Sequence, residues 1–394
     1  MAAPQSLEYF GAIQHPSRCF IDPEFKQGRP LVDARGLPRP FTGNFADVYK
    51  IEGPGANAWA VKCFTREVHD LQQRYKAISD YLLQAKQQSG LPFMVDFTYI
   101  YQGIRIGQQL VPILKMSWVE GESLTGFIPK YLNKPKILTT LAGLWLRLAR
   151  DLKNAGMGHG DLQHGNVLLV PNSKGGVSLK LIDYDGMFVP ALAGSNTNEL
   201  GHPNYQHPKR GDDPFHGDID RFSHLVIYTA LRSLAVADST LWARYEDDDN
   251  LLFKEQDFKE PRTSELFKEL WKLPDPEVHI LVGRLILSAL GPSAQVPLLD
   301  EIVTDDGIVP LTPDQEIRVA TEFRTVWKPQ TARAVQTAQK ASQWSRQAST
   351  PTGASTPSPA APTASAAPSP GSGANRSQAT PTPVHAPAAK KNSD

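Results

Sequence analysis

Three polar residues of this chain, Asp161, Asn166 and Asp183, could together hold a proton acceptor and metal ligands, the makings of a phosphoryl-transfer site. Asp161 and Asn166 stand five residues apart in His159-Gly160-Asp161-Leu162-Gln163-His164-Gly165-Asn166. An apolar run follows, and after a turn the text Leu181-Ile182-Asp183-Tyr184-Asp185-Gly186 closes a second apolar run on Asp183. A carboxylate in such a loop can take the proton of an attacking hydroxyl. A second carboxylate and an amide oxygen can ligate a divalent cation that neutralises phosphate charge.

The elements that must position these groups are readable from periodicity. Val167 to Val170 and Val177 to Ile182 predict two strands, and the joining Pro171-Asn-Ser-Lys-Gly-Gly176 supplies turn residues. That hairpin brings Asn166 and Asp183 to the same end. Leu138 to Ala155 predicts a densely apolar, buried helix leading straight into His159.

Upstream, Gly43 to Gly53 and Trp59 to Phe64 predict a hairpin turning at Gly53-Pro54-Gly55. Val68, Leu71, Tyr75, Ile78, Tyr81 and Leu82 predict an amphipathic helix over Glu67 to Lys86, and Phe93 to Tyr101 and Gln109 to Trp118 predict two further strands. Downstream, helices are predicted over Asp218 to Leu234, Leu266 to Trp271 and Val278 to Leu290. Residues 1 to about 25 have weak periodicity, and the next segment carries Pro30, Gly36, Pro38 and Pro40, which suits an extended lead-in more than a helix; residues 1–40 are expected as an N-terminal extension, with order starting near Phe41. Residues 329–394 run into Ala, Pro, Ser, Thr and Gly without periodicity, a composition expected to stay disordered and to serve as a tether or partner-binding tail.

Composition narrows the function classes. Lys plus Arg (41) balances Asp plus Glu (41), so no global field draws the chain to nucleic acid or a membrane surface. No stretch has the apolar length of a membrane helix and the Met-Ala-Ala-Pro start lacks a signal pattern, so a cytoplasmic protein is expected. Cys19 and Cys63 are too few for a disulfide framework or a cysteine zinc site. His202, His207 and His216 have no nearby cysteine to make a zinc cluster with them, and Glu246 to Asp249 reads as a solvated loop.

In this order, the signals resemble the eukaryotic-like (bacterial-type) Ser/Thr protein kinase family. His159 to Asn166 aligns without a gap onto His-Arg-Asp-Leu-Lys-x-x-Asn, with Gly160 for Arg and Gln163 for Lys. The resemblance implies an α+β, bilobal protein kinase-like fold. It places a β-rich N-lobe with one helix at 41–120, a mainly helical C-lobe at 121–328, and the disordered tail beyond.

By the same resemblance Asp161 is the catalytic base, and Asn166 and Asp183 hold Mg²⁺. Lys62, in Ala60-Val61-Lys62, contacts the phosphates of ATP. Tyr184 and Asp185 stand where the family's motif has Phe and Gly; Asp185-Gly186 is an alternative register. Gly43 and Val48 belong to a degenerate phosphate loop in which Phe41 and Ala46 replace glycines. Met116 and Trp118 belong to the hinge that binds adenine. Gly201 to Pro208 resembles the end of an activation segment, and Asp220 takes the position that braces the catalytic loop.

The acidic partner that the family places on the helix after Lys62 is open between Glu67 and Asp80. The implied activity is ATP- and Mg²⁺-dependent transfer of the γ-phosphate to Ser/Thr hydroxyls of protein substrates, including autophosphorylation. Two rivals follow from the departures. One is a small-molecule phosphotransferase, since Gly160, Gln163 and Gly165 also fit aminoglycoside phosphotransferases and atypical kinases. The other is a nucleotide-binding pseudokinase scaffold.

Overall fold

The computed structural model describes residues 3–43, 46–55, 57–66, 70–88, 90–173, 175–197, 199–212 and 214–323. The tail at 329–394 and the candidate Glu67 lie outside the described residues.

Order begins well before Phe41, which corrects the expected start, while the segment with Pro30, Gly36, Pro38 and Pro40 forms no helix. Helices α1 (Ser6–Ile13), α2 (Pro16–Cys19) and α3 (Pro23–Lys26) precede strands β1 (Arg29–Pro30) and β2 (Pro40–Thr42). Helices of one turn are too short to leave a periodic signature. Pro16 and Pro23 open their helices, where a missing N–H costs nothing. Asp22 caps α3 by accepting the N–H groups of Glu24 and Phe25.

Strands β3 (Ala46–Glu52), β4 (Ala58–Phe64), β5 (Phe97–Ile106) and β6 (Gln109–Ser117) follow, with helix α4 (Leu71–Gln88) between β4 and β5. The antiparallel sheet runs β1-β3-β4-β6-β5, with β2 also on β3. Because side chains alternate across a strand, Tyr49, Ile51, Val61 and Cys63 face one way and Val48 and Lys62 the other. The first set packs with Tyr9, Ile13, Phe20 and Phe25 of the N-terminal segment in a core of its own. The opposite face packs on Tyr75, Ile78 and Leu82 of α4, and that core continues into the helical part of the chain.

Two strand boundaries differ from expectation for reasons visible in the backbone. Phe93 to Val95 are buried but lie outside β5, because the Phe93 carbonyl accepts the Leu181 N–H (2.8 Å) and the Val95 N–H goes to the Tyr184 hydroxyl (2.9 Å). At its other end β5 runs past Tyr101 through a register shift between Ile100 and Ile104. Gly103 lies inside that shift, where a Cβ would meet Ile113 at 2.2 Å.

The remainder comprises β7 (Glu122–Ser123), α5 (Leu124–Phe127), α6 (Pro135–Asn154), β8 (Val167–Pro171), β9 (Val177–Leu181), α7 (Arg221–Val236), α8 (Ser239–Tyr245), α9 (Glu255–Lys259), α10 (Glu265–Trp271), α11 (Pro276–Leu290), α12 (Leu299–Ile302), β10 (Val303–Thr304), β11 (Gly307–Ile308) and α13 (Pro313–Glu322). Helix α6 packs along α7, and the buried Trp145 donates its indole N–H to the His224 carbonyl (3.2 Å). Among the described residues no helix is long and apolar enough to cross a membrane.

Candidate functional site

The β8–β9 hairpin sets the site. Its register pairs Val167 with Leu181, and the Ile182 N–H donates to the Asn166 carbonyl (3.0 Å), so Asn166 and Asp183 emerge at one end. Asn166 Nδ2 donates to the Asp161 carbonyl (2.9 Å) and to Asp161 Oδ2 (3.0 Å). With its NH₂ group turned to Asp161, the amide directs Oδ1 the other way. Gln163 Nε2 also donates to Asp161 Oδ2 (3.2 Å), and the backbone N–H of His202 donates to Oδ1 (2.6 Å).

Buried Asp220, just before α7, accepts the backbone N–H groups of His159 and Gly160, the latter at 2.9 Å. A charged acceptor for two buried donors anchors the loop to the helical core. Tyr184 is buried between Phe97 and His159, and its hydroxyl donates to the Leu181 carbonyl (2.9 Å) while accepting from Val95. Asp183 therefore leaves β9 with a positive φ of 63°, turning its carboxylate away from the core and toward the sheet.

There it meets Lys62. On β4, Lys62 lies opposite Val48 on one side and Leu114 on the other. Its Nζ donates to Asp183 Oδ1 (3.0 Å) and Asp185 Oδ2 (2.5 Å). The Asp183 side chain keeps 47% of its surface accessible although protein surrounds it, whereas that of Asp185 keeps 14%. Burial opposes the charge on Lys62, but Asp183 and Asp185 outweigh it and hold the amine well above its ordinary range. Burial alone would raise the Asp183 carboxyl; the charge and hydrogen bond of Lys62, with His159, hold it below the usual range. Asp185 is pushed up by burial and by the like charge of Asp183, against the pull of Lys62.

Asp80, one of the two candidates for the partner of Lys62, is exposed and paired with Lys76 (2.5 Å) on α4. That candidate is corrected: among the described residues Lys62 is paired with Asp183 and Asp185. Glu199 is a further acid that sequence reasoning missed. Burial, and then Asp185, Asp183 and Asp161, push it up to about 8.

The remaining sequence candidates line the sheet. Gly43 closes the tip between β2 and β3, its N–H bonding the Ala46 carbonyl (2.9 Å). Val48 is half-buried, and Met116 is buried opposite Ala60 and Phe97. The Trp118 N–H donates to the Ala58 carbonyl (2.8 Å), and its ring lies against Phe41 at 5.5 Å. A cavity of about 600 Å³ lined by Arg29, Lys50, Asn57, Trp118 and Glu120 flanks this region without including Lys62 or the loop carboxylates.

The three histidines make other contacts: His202 pairs with Asp249 (3.0 Å), His207 meets the Ser288 carbonyl (2.9 Å), and His216 accepts the Asp218 N–H (3.1 Å). Among the described residues no group of three or more His, Cys, Asp or Glu is arranged to hold a metal. Asp183 and Asn166, at one end of the hairpin, could offer two oxygen ligands to a magnesium ion, which takes few protein ligands and completes its shell with water and phosphate. No protein-family model matches the chain, and no curated protein does.

Proposed function

We propose that this chain is an ATP- and Mg²⁺-dependent protein kinase of bilobal fold, transferring the γ-phosphate to Ser or Thr hydroxyls. The observation that carries this reading is the meeting of Lys62 with Asp183 at 3.0 Å across 121 residues of chain, at the hairpin end where Asn166 is bonded to Asp161. A fixed cation, a metal-ligating pair and an oriented base are the parts phosphoryl transfer needs, because the protein contributes positioning and charge more than covalent chemistry. The succession of sheet with α4 and then helices around the β8–β9 hairpin supports the bilobal reading.

In this reading Lys62 holds the phosphates of ATP, and the Met116 to Trp118 backbone takes the adenine under Val48. Asn166 and Asp183 hold magnesium, which when bound neutralises charge on the phosphates. Asp161 receives the hydroxyl proton, its orientation set by Asn166, Gln163 and His202. The segment from Gly201 to Pro208 favours a protein acceptor over a small molecule, because it lies directly on the loop: Tyr205 shares a hydrogen bond with His164 (2.7 Å) and His202 with Asp161.

The test is incubation of the purified protein with γ-labelled ATP, magnesium and a cell extract, beside Asp183→Asn. Label on Ser or Thr of protein, absent in the variant, is expected. Label only on a metabolite would instead establish a small-molecule phosphotransferase. Nucleotide binding without any transfer would establish a pseudokinase.

A further inference from the structure

We propose that Asp185, held in place by the Tyr75 hydroxyl, is the permanent counter-ion of Lys62 and takes the part that an acid on α4 would otherwise play; its bearing on catalysis rests on the kinase reading above. The sequence of α4, Leu71 to Gln88, contains a single acid, Asp80, and that side chain faces solvent beside Lys76. What α4 presents toward Lys62 is Tyr75. Its ring is buried, stacked on Tyr99 at 6.3 Å and packed against Phe64 at 5.3 Å and Phe97 at 6.1 Å. These contacts fix the phenol, whose hydroxyl donates to Asp185 Oδ1 (2.6 Å) while Oδ2 of the same carboxylate accepts from Lys62 (2.5 Å).

The two carboxylates around Lys62 are therefore not equivalent. Asp183 is the more accessible and carries one link to Lys62; Asp185 is enclosed and links Lys62 to α4. A cation that must let go of Asp183 when that residue turns to a metal still needs a partner, since an unpaired buried charge is costly. Asp185 supplies it without a carboxylate on the face that α4 turns to Lys62. Asp185 and Tyr75 are thus positioning residues that act through Lys62.

The experiment has two arms. In the first, urea unfolding of nucleotide-free wild type, Tyr75→Phe, Asp185→Asn and the double variant forms a cycle. The expected result is non-additivity, the double variant losing little more than the worse single variant; additive losses would overturn the linkage. In the second arm, Asp185→Asn is expected to raise KM for ATP about tenfold with a smaller fall in kcat, with Tyr75→Phe intermediate and Asp80→Asn unchanged. Moving the carboxylate to α4, by Tyr75→Glu in an Asp185→Gly background, is expected to recover a large part of the lost KM. An unchanged KM in Asp185→Asn, where Lys62→Met abolishes transfer, would overturn the positioning role. If wild type transfers no phosphate, the kinase reading falls, and the unfolding cycle still decides whether Tyr75 and Asp185 are coupled.

Discussion

The backbone N–H of His202 points at Oδ1 of Asp161 from 2.6 Å. With Gln163 and Asn166 on Oδ2, the carboxylate is gripped on both oxygens. Donors on both oxygens fix the direction of the carboxylate, which suits the part of hydroxyl-orienting base proposed for it.

In the kinase reading, Asp161→Asn keeps the side-chain size but puts a donor NH₂ where one accepting oxygen was, so it breaks the bonds on one side and loses the proton acceptor. Transfer is expected to fall by about 10²–10⁴-fold, the usual worth of a positioned base, with nucleotide affinity little changed. Steady-state kinetics beside a nucleotide titration checks this. A parallel loss of affinity would mean that Asp161 serves nucleotide binding instead.

Gly160 stands where the loop text that this stretch resembles has Arg, and the backbone explains why a side chain is not tolerated. Its φ is +80°, and a Cβ would lie 2.1 Å from the Gly186 carbonyl oxygen. Gly160→Ala is expected to cost about 1–3 kcal/mol from backbone strain, with the collision against Gly186 adding to it. Denaturant titration measures the loss. A variant as stable as wild type would show that the loop and the segment after Asp183 do not approach this closely.

The legible parts of the site are those whose partners lie near in sequence. The β8–β9 hairpin could be written down from two apolar runs and a glycine turn, so Asn166 and Asp183 could be placed together. Lys62 was recognisable as a candidate, but its partners lie 121 and 123 residues away, and Asp80 had the better helical spacing while facing solvent. The His202 N–H is a backbone donor, and any residue but proline provides one. In the fold, α6 announced itself by its apolar side, whereas α2 and α3, four residues each, were too short to do so.

The N-terminal segment should be integral to stability. Phe25 is fully buried, packs on Phe20 at 4.9 Å and lies beneath Lys115 at 4.9 Å. Lys115 in turn pairs with Asp22 (2.8 Å) and Glu24, tying α3 to β6. Phe25→Ala is expected to cost about 3–5 kcal/mol, the usual range for emptying a buried aromatic site. Removal of residues 3–27 would expose Tyr49, Ile51, Val61 and Ile113, and aggregation is expected. If either variant unfolds at the wild-type denaturant concentration, the packing of this segment contributes little.

Glu199 should make stability depend on pH in a direction unusual for an acid. Its folded pKa is raised from 4.5 to about 8 by burial and by Asp185, Asp183 and Asp161, so the folded chain holds a proton that the unfolded chain releases. Its contribution is fully present below the unfolded value near 4.5 and is lost as pH rises through about 8. Glu199→Gln keeps a neutral, similarly shaped side chain and removes this titration. The melting temperature of wild type relative to the variant is therefore expected to fall between pH 5 and pH 8, with the variant gaining most at the alkaline end. Paired thermal melts without metal or nucleotide across that range provide the measurement. Parallel curves would show that Glu199 is already ionised at neutral pH and does not face the carboxylates around Lys62.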